Sequence, residues 1–338
     1  MSEKRHSVGP EHLFRDLDLR TDSLLSGQGR QRTDALTDLG AGAYFQKELE
    51  HIFPEVLKAD LPVLNAERLF AVDRTVPQGA ETFTHRLLEH TGKAAVISNW
   101  GQSLPQVGLG RSEWSSPLKS VGDAYGWSEQ DLAAASFTGL ALNSELGISA
   151  RRAVEESLND IAWNGIPELS IPGILTFPYV PRYTTSVAIT GTVDTVLDQL
   201  HAAVARVPEN TGEVHKPNRL ILAPRSRRVL GRKLRTNTDS SILKMFREND
   251  PYITIFEEAA ELQGVGPNGE DAFIVDRADG AEGSSKSIPQ NCKIVISQPF
   301  TQLPVQQKDL MYLVNCLART GGCTMGKPLG TLIGYWHA

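Results

Sequence analysis

The chain has 338 residues, of which 40% are hydrophobic and 22% are charged, and its formal net charge at pH 7 is −6. This composition is typical of a globular protein long enough for about two domains, and its acidity argues against a protein whose main task is to grip nucleic-acid phosphates. No apolar run approaches the roughly 18 residues of a bilayer-spanning helix, and residues 1–6 are charged and do not resemble a secretory signal.

The first part of the chain resembles an arm. Residues 1–40 are polar and charge-rich with few aromatic side chains, a composition that builds no core of its own, so we expect a neighbouring subunit to hold this segment. A helix is predicted over residues 43–58, ending at residues 60–62. Its apolar stripe consists of Phe45, Leu49, Ile52, Phe53 and Val56.

A long hairpin is predicted next. From residue 69 to residue 124 the pattern is extended, with strand segments at residues 82–84 and 94–97 and a glycine-rich loop tip at residues 100–110. An isolated two-stranded hairpin is barely stable in water. We therefore expect this hairpin to lie on another surface.

The clearest single element is a two-faced helix over about residues 148–163, preceded by a β segment and a run of small residues. Arg151 and Arg152 each stand four residues before a glutamate on its polar side, and Gly165 supplies a left-handed stop. Seven positions recurring at steps of three and four form its apolar stripe: Ala150, Ala153, Val154, Ser157, Leu158, Ile161 and Ala162.

Residues 186–290 predict a compact α/β lobe, because helical and strand patterns alternate there. The predicted helices span residues 192–204, with Thr192 as cap, 225–234 and 242–246. The predicted strands span residues 219–222, 252–256 and 272–275. Residues 288–338 are again extended, and we expect their strands at 293–297, 310–317 and 329–335 to pair with the hairpin and the central helix.

Two glycine-rich runs imitate nucleotide-binding motifs. Residues 264–269 match G-x-G-x-x-G, but Asn268-Gly269 indicates a hairpin turn and a strand follows where the motif needs a helix. Residues 321–328 are one residue short of a P-loop, with Pro328 in place of the hydroxyl residue that would hold magnesium. Both runs are therefore interpreted as turns.

No other pattern indicates catalysis, a cofactor or a metal. His85 and His90 lie five apart in an extended segment and so face opposite sides, and there is no nucleophile elbow. Cys292, Cys316 and Cys323 are odd in number and lack zinc spacing, which favours reduced thiols in a cytoplasmic setting.

A basic segment lies between residues 224 and 235. Three interpretations stay open: a solvated helix face, contact with acidic residues of an adjacent copy such as Glu257, Glu258 and Glu261, or contact with nucleic acid. The basic residues are Arg225, Arg227, Arg228, Arg232, Lys233 and Arg235.

The order of these parts resembles the Hong Kong 97 fold of tailed-bacteriophage major capsid proteins, and five short segments are similar to a phage coat-protein family formerly catalogued as a domain of unknown function. The segments are residues 116–120 (SPLKS), 124–128 (AYGWS), 158–165 (LNDIAWNG), 248–253 (ENDPYI) and 316–322 (CLARTGG). The resemblance covers roughly residues 60–338.

The resemblance implies an α+β fold in four parts. They are an N-terminal arm (1–65), an extended β-hairpin loop (66–122), a peripheral domain with a long spine helix (123–185 and 291–338) and an α/β axial domain (186–290). It further implies a structural, non-enzymatic coat protein without cofactors, assembled in the host bacterial cytoplasm and located in the virion.

The implied partners are copies of the chain itself, in hexamers and pentamers around double-stranded DNA held non-specifically, with portal, scaffold or decoration proteins as further candidates and no membrane. We expect the arm (1–60) and the hairpin region 85–121 to contact neighbouring subunits, and residues 236–270 to face the capsomer axis. The candidate intersubunit residues are Arg111, Trp114, Lys119, Arg225, Arg228, Arg232, Glu257 and Glu258.

Two other functions are compatible with parts of this pattern. An encapsulin-type bacterial nanocompartment would share the fold but carry enzyme cargo, and a soluble α/β enzyme would be a compact monomer or small oligomer. One relative of this fold crosslinks its subunits through a hairpin lysine; Lys93 and Lys119 lie in the matching region, but no feature marks a partner asparagine or a catalytic acid.

Overall fold

The structure is a computed structural model that describes residues 61–94, 106–138, 142–236, 238–278 and 291–337. The predicted arm and the helix at residues 43–58 lie outside the described residues, as does most of the predicted strand at residues 94–97. The described chain is mixed helix and sheet, and its elements form a hairpin, a long helix and two five-stranded sheets.

The predicted hairpin is confirmed and is longer than its local pattern indicates. After the short helix α1 (Ala66–Leu69) and strand β1 (Ala71–Asp73), strands β2 (Thr82–Thr91) and β3 (Gly108–Pro117) pair antiparallel in unbroken register. Because β3 starts at Gly108, the last three residues of the predicted loop tip belong to the strand.

Strand β4 (Lys119–Ser128) leads into two helices, α2 (Glu129–Thr138) and the long central helix α3 (Leu142–Asn164). Helix α3 starts six residues before the predicted position, and Gly147 lies inside it. A Cβ there would come within 3.3 Å of Gln302 and 3.4 Å of the Tyr125 hydroxyl, so close packing accounts for a glycine inside the helix.

The apolar stripe of α3 is confirmed in part. Ala150, Val154, Leu158, Ile161 and Ala162 are buried, whereas the predicted stripe members Ala153 and Ser157 are exposed. The polar side carries the two predicted ion pairs, Arg151–Glu155 and Arg152–Glu156, each at 2.7 Å. Gly165 has a φ of +69°, as its role in stopping the helix requires.

The first large sheet packs against α3. Strand β11 (Cys292–Gln302) lies between β1 and the 15-residue strand β13 (Met311–Met325), and β13 also pairs with β4 and with β12 (Gln306–Lys308). Val154 and Leu158 of α3 bury against Ala318 of β13. A two-stranded ribbon of β5 (Gly165–Ile166) and β6 (Ile171–Pro172) follows α3.

The second sheet forms the predicted α/β lobe, in the order β7-β14-β10-β8-β9. Its strands are β7 (Arg182–Ala188), β8 (Arg219–Leu222), β9 (Ile255–Glu258), β10 (Ala272–Asp276) and β14 (Leu332–His337). Its helices are α4 (Val193–Thr211), α5 (Pro224–Arg232) and α6 (Ile242–Asn249). Single 3-10 turns occur at Pro167–Leu169, Ala260–Leu262 and Pro328–Gly330.

Two strand predictions in the lobe region need correction. Strand β9 begins at Ile255 instead of residue 252, because the Asp250 carboxylate accepts hydrogen bonds from the Tyr252 and Ile253 N–H groups and holds a turn there. Strand β14 pairs with β10 and β7, and not with the hairpin or the central helix, because its side chains fill the buried face of the lobe.

Helix and turn limits in the same region also differ from their predictions. Helix α4 runs on through Pro208 to Gly212, whose φ is +59°, instead of ending at residue 204. Thr192 is its N-cap residue, but the hydroxyl contacts that of Thr195 at 2.7 Å and makes no cap bond to a backbone N–H. Residues 264–269 form the predicted turn before β10, whereas residues 321–325 belong to β13, which leaves residues 326–331 as the turn.

Candidate assembly surface

The outer part of the hairpin is exposed. From the rung Arg86–Glu113 outward to Thr91–Gly108, β2 and β3 are bonded only to each other. Apolar side chains stand out on both of its faces, with exposed fractions of 50% for Leu87, 53% for Leu88 and 55% for Leu109. A two-sided ribbon of this kind needs a covering surface for lasting order.

The root of the hairpin is anchored inside the subunit. Phe83 is buried with Leu118 and Val295, and Trp114 packs edge-on against it at 5.9 Å between ring centroids. Trp114 also contacts Phe177 at 5.2 Å and stacks on His85 at 6.2 Å. This candidate contact residue is therefore half-buried in its own chain, where it fixes the angle at which the hairpin leaves the sheet.

The other two hairpin candidates face solvent. Arg111 lies opposite Leu88 on β3, and Lys119 opens β4 opposite Thr320; both are exposed. Within the described ranges neither forms an ion pair.

Helix α5 presents a basic face. Arg225, Arg228 and Arg232 recur at steps of three and four and are all exposed. In the described part of the chain they meet no carboxylate; the Arg228 Nε donates to the Pro224 carbonyl of its own helix at 3.3 Å.

The acidic candidates are occupied within the subunit. Glu257 accepts from the Arg68 guanidinium at 3.1 Å, and Glu258 pairs with Arg227 of α5 at 2.5 Å. Glu261 accepts from Asn65 and from Asn159 of α3. These contacts tie α1 and the central helix to the lobe, a role that the sequence pattern did not reveal.

A second exposed apolar zone comprises α2 and the turn beside its start. The Leu310 carbonyl accepts from the Glu129 N–H at 3.2 Å, which joins the turn between β12 and β13 to the start of this helix. Leu310 is 71% exposed in that turn, and Phe137, near the other end of α2, is 93% exposed. The sequence analysis missed this zone because it missed α2, although Ser128 and Asp131 have the spacing of a helix-capping pair.

The described residues hold no group of three or more histidine, cysteine, aspartate or glutamate side chains placed to bind a metal. The three cysteines are buried free thiols, and the Sγ atoms of Cys292 and Cys323 lie 3.1 Å apart. Burial raises the pKa of the Cys292 thiol well above its usual value. Such thiols are inert at neutral pH. None of the described helices is long and apolar enough to cross a membrane.

A family model described as "Major capsid protein" matches residues 92–332. The chain belongs to the major capsid protein family. As a capsid protein it is a structural component of phage-type virions, which agrees with the predicted coat protein and gives no support to the nanocompartment alternative. The sequence matches none of the curated proteins.

Solved capsid structures share the fold of this capsid protein. The capsid of Myoviridae phage XM1 superposes with a TM-score of 0.75 at 15% identity, covering 88% of this chain and 100% of that one. The capsid of a native GTA particle gives 0.60 at 11% identity, covering 89% and 100%. A chain of Mycobacterium phage Bobi gives 0.58 at 14% identity, covering 87% and 97%.

Proposed function

We propose that this major capsid protein assembles with copies of itself into hexameric and pentameric capsomers, which close into an icosahedral head shell around double-stranded DNA. The observation that carries the proposal is the hairpin, which leaves leucines on both of its faces half exposed in the described part of the chain. Fully burying one leucine stabilises a structure by about 1.5–3 kcal/mol, so half-exposed leucines leave a substantial gain for a neighbouring subunit.

Ring closure explains why the candidate surfaces differ from one another. Head-to-tail contacts in a cyclic capsomer join two different patches of the same chain, so each subunit needs two complementary surfaces. The hairpin, with Arg111 and Lys119, supplies one surface, and the basic face of α5 supplies a cationic patch on another part of the subunit. Because Glu257 and Glu258 are already paired internally, acids elsewhere on the neighbour are the partners of that patch.

We assign the parts as an arm (1–65), an extended loop (66–122), a peripheral domain with α3 as spine helix (123–185 and 291–338) and an axial domain (186–290) whose residues 236–270 face the capsomer axis. Strand β14, inside the proposed peripheral range, belongs to the sheet of the axial domain. The chain therefore returns to the axial domain at this strand.

The packaged DNA is held by enclosure instead of tight binding in this proposal. A net charge of −6 offers little gain from displaced counterions. Assembly takes place in the host bacterial cytoplasm, with portal, scaffold and decoration proteins as candidate further partners.

The test is assembly of the purified chain, followed by light scattering and negative-stain imaging. Closed shells are expected for the wild type, and the variant Leu87→Gln/Leu88→Gln should remain unassembled while keeping its far-ultraviolet spectrum. Leu169→Gln, which changes a leucine 42% exposed outside the hairpin, is the matched control and should assemble. Normal shells from the hairpin double variant would refute the assigned role.

A further inference from the structure

A pocket of about 240 Å³ lies beside the root of the hairpin. It is bounded by β1, by the segments that follow α4 and β10, by β11 and β13, and by the turn before β14. Four cationic side chains line it, each from a different segment: Lys216, Arg277, Lys293 and Lys327. Their convergence is not a solvated helix face, because no two of them share an element.

Four cationic side chains face one carboxylate, that of Asp73, in the lining, so the described residues neutralise the positive charge of this pocket only in part. Asp73 is the carboxylate in its lining, and the Asp73 Oδ1 already accepts from the Thr75 N–H at 2.9 Å and the Thr75 hydroxyl at 2.6 Å. Throughout the described ranges, none of the four cations forms an ion pair. The Asn291 side-chain amide donates hydrogen bonds to the Lys327 carbonyl at 2.6 Å and to the Thr331 hydroxyl at 3.0 Å. These bonds hold the turn before β14 in place.

One histidine of the lining, His215, responds to this surplus. Burial lowers the pKa of His215, and the charges of Lys327 and Arg277 lower it further. His85 is held by a 2.8 Å contact between its Nε2 and the Thr324 hydroxyl. The His85 ring is thus fixed at the wall of a site whose unmatched charge is positive.

We propose that this pocket binds a carboxylate presented by a neighbouring copy of this chain, an inference that rests on the proposed self-assembly. Ammonium and guanidinium donors around a small cavity suit a single oxyanion. A volume of about 240 Å³ accommodates an acidic side chain but not the backbone of a duplex. The chain itself supplies such groups, with 40 acidic residues against 34 lysines and arginines.

The pocket shares a residue with the hairpin. His85 belongs to β2, at the root of the hairpin, and also lines the pocket. A carboxylate seated there contacts the base of the hairpin of the subunit that receives it. Binding of the neighbour's carboxylate therefore changes the environment of the hairpin root in the subunit that receives it.

The first experiment tests the anion site on the unassembled subunit. Inorganic phosphate is titrated against chloride at matched ionic strength, and the His215 ring signal, assigned with His215→Gln, is followed by NMR. A saturable shift is expected, with affinity weakened about tenfold in Lys293→Gln/Lys327→Gln, retained in Lys293→Arg and unchanged in Lys308→Gln, an exposed lysine away from the pocket. No saturable shift, or an equal shift in the double variant, would overturn the anion site.

The second experiment identifies the source of the anion. If a neighbour supplies the carboxylate, phosphate competes with it, so the concentration of subunit needed to form shells should rise with phosphate and rise about tenfold in Lys293→Gln/Lys327→Gln. Phosphate that binds without changing this concentration would assign the pocket to a free anion and overturn the intersubunit contact. A wild type that binds phosphate but forms no shells would overturn the proposed function while leaving the anion site supported.

Discussion

Replacing Asp276 by asparagine should lower the free energy of unfolding by about 3–5 kcal/mol, because it leaves the Arg219 guanidinium charged and uncompensated inside the lobe. The two side chains are only 5% and 0% exposed. They are joined by two hydrogen bonds, Nε to Oδ1 at 2.8 Å and Nη2 to Oδ2 at 2.5 Å. Arg219 also donates to the Leu69 carbonyl and lies over the ring of Phe70, so the loss extends to α1.

The same reasoning predicts that Arg219→Met/Asp276→Leu is less destabilised than Asp276→Asn, because no charge is left buried. Burial of the ion pair, and not the distance between its charged atoms, sets how much unfolding free energy is lost when the pair is broken. The cross-strand pair Arg86–Glu113 has a similar separation of 2.9 Å, but its side chains are 82% and 61% exposed, and Glu113→Gln should cost about 0–1 kcal/mol.

The assay is urea unfolding of the unassembled subunit, followed by tryptophan fluorescence and circular dichroism, with Arg219→Met, Asp276→Leu and their double variant forming a cycle. A cost for Asp276→Asn below about 1 kcal/mol would refute the assignment of a buried, charged pair. The assignment would also be refuted if the double variant lost as much unfolding free energy as the two single variants together.

Three further outcomes are expected. Thiol-labelling reagent should modify none of the three cysteines in the folded subunit and all three in guanidinium, since each is buried; rapid labelling before unfolding would contradict this. Gly165→Ala should lower the free energy of unfolding by about 2–5 kcal/mol, and Gly212→Ala by only about 1–2 kcal/mol. Both glycines have a positive φ, but a Cβ at residue 165 would lie 2.4 Å from backbone atoms, whereas Gly212 faces open space. Equal losses for the two variants would refute the steric argument. Ser128→Ala should raise the carboxyl pKa of Asp131, measured by NMR, because hydrogen bonds from Ser128 hold that pKa below its ordinary value of 3.8. Since the folded pKa is lowered, the contribution of this carboxylate to stability is present above the unfolded pKa and is lost as the pH falls. An unchanged Asp131 pKa in the variant would contradict this prediction.

Elements whose pattern is local could be predicted from the sequence. The central helix follows from its apolar stripe, and the buried strands β8 and β10 follow from short apolar runs that end at a proline or begin after a turn. Helix α2 could not be found in this way, because its alanine-rich residues face solvent and have no periodic stripe; its capping pair, Ser128 and Asp131, was the available signal.

Long-range pairing was the harder part. Nothing in residues 332–337 says which strands they join, since a buried run of apolar residues fits any central position in a sheet. The same limit applies to charge. The sequence places Arg227 and Glu258 in matching acidic and basic segments, but only the parallel pairing of β8 with β9 shows that they meet within one subunit instead of between two.

The order of strands in the lobe has a consequence for synthesis of the chain. Strand β14 lies between β7 and β10, yet it is the last of the five to leave the ribosome. Until then β7 lacks its sheet partner, and one side of β10 is open. The lobe therefore completes its fold only after residue 337 has emerged, so a nascent chain cannot yet present a finished lobe to its neighbours. In a cell making many copies from adjacent ribosomes, this delay separates synthesis of most of the chain from any contact that needs a finished lobe.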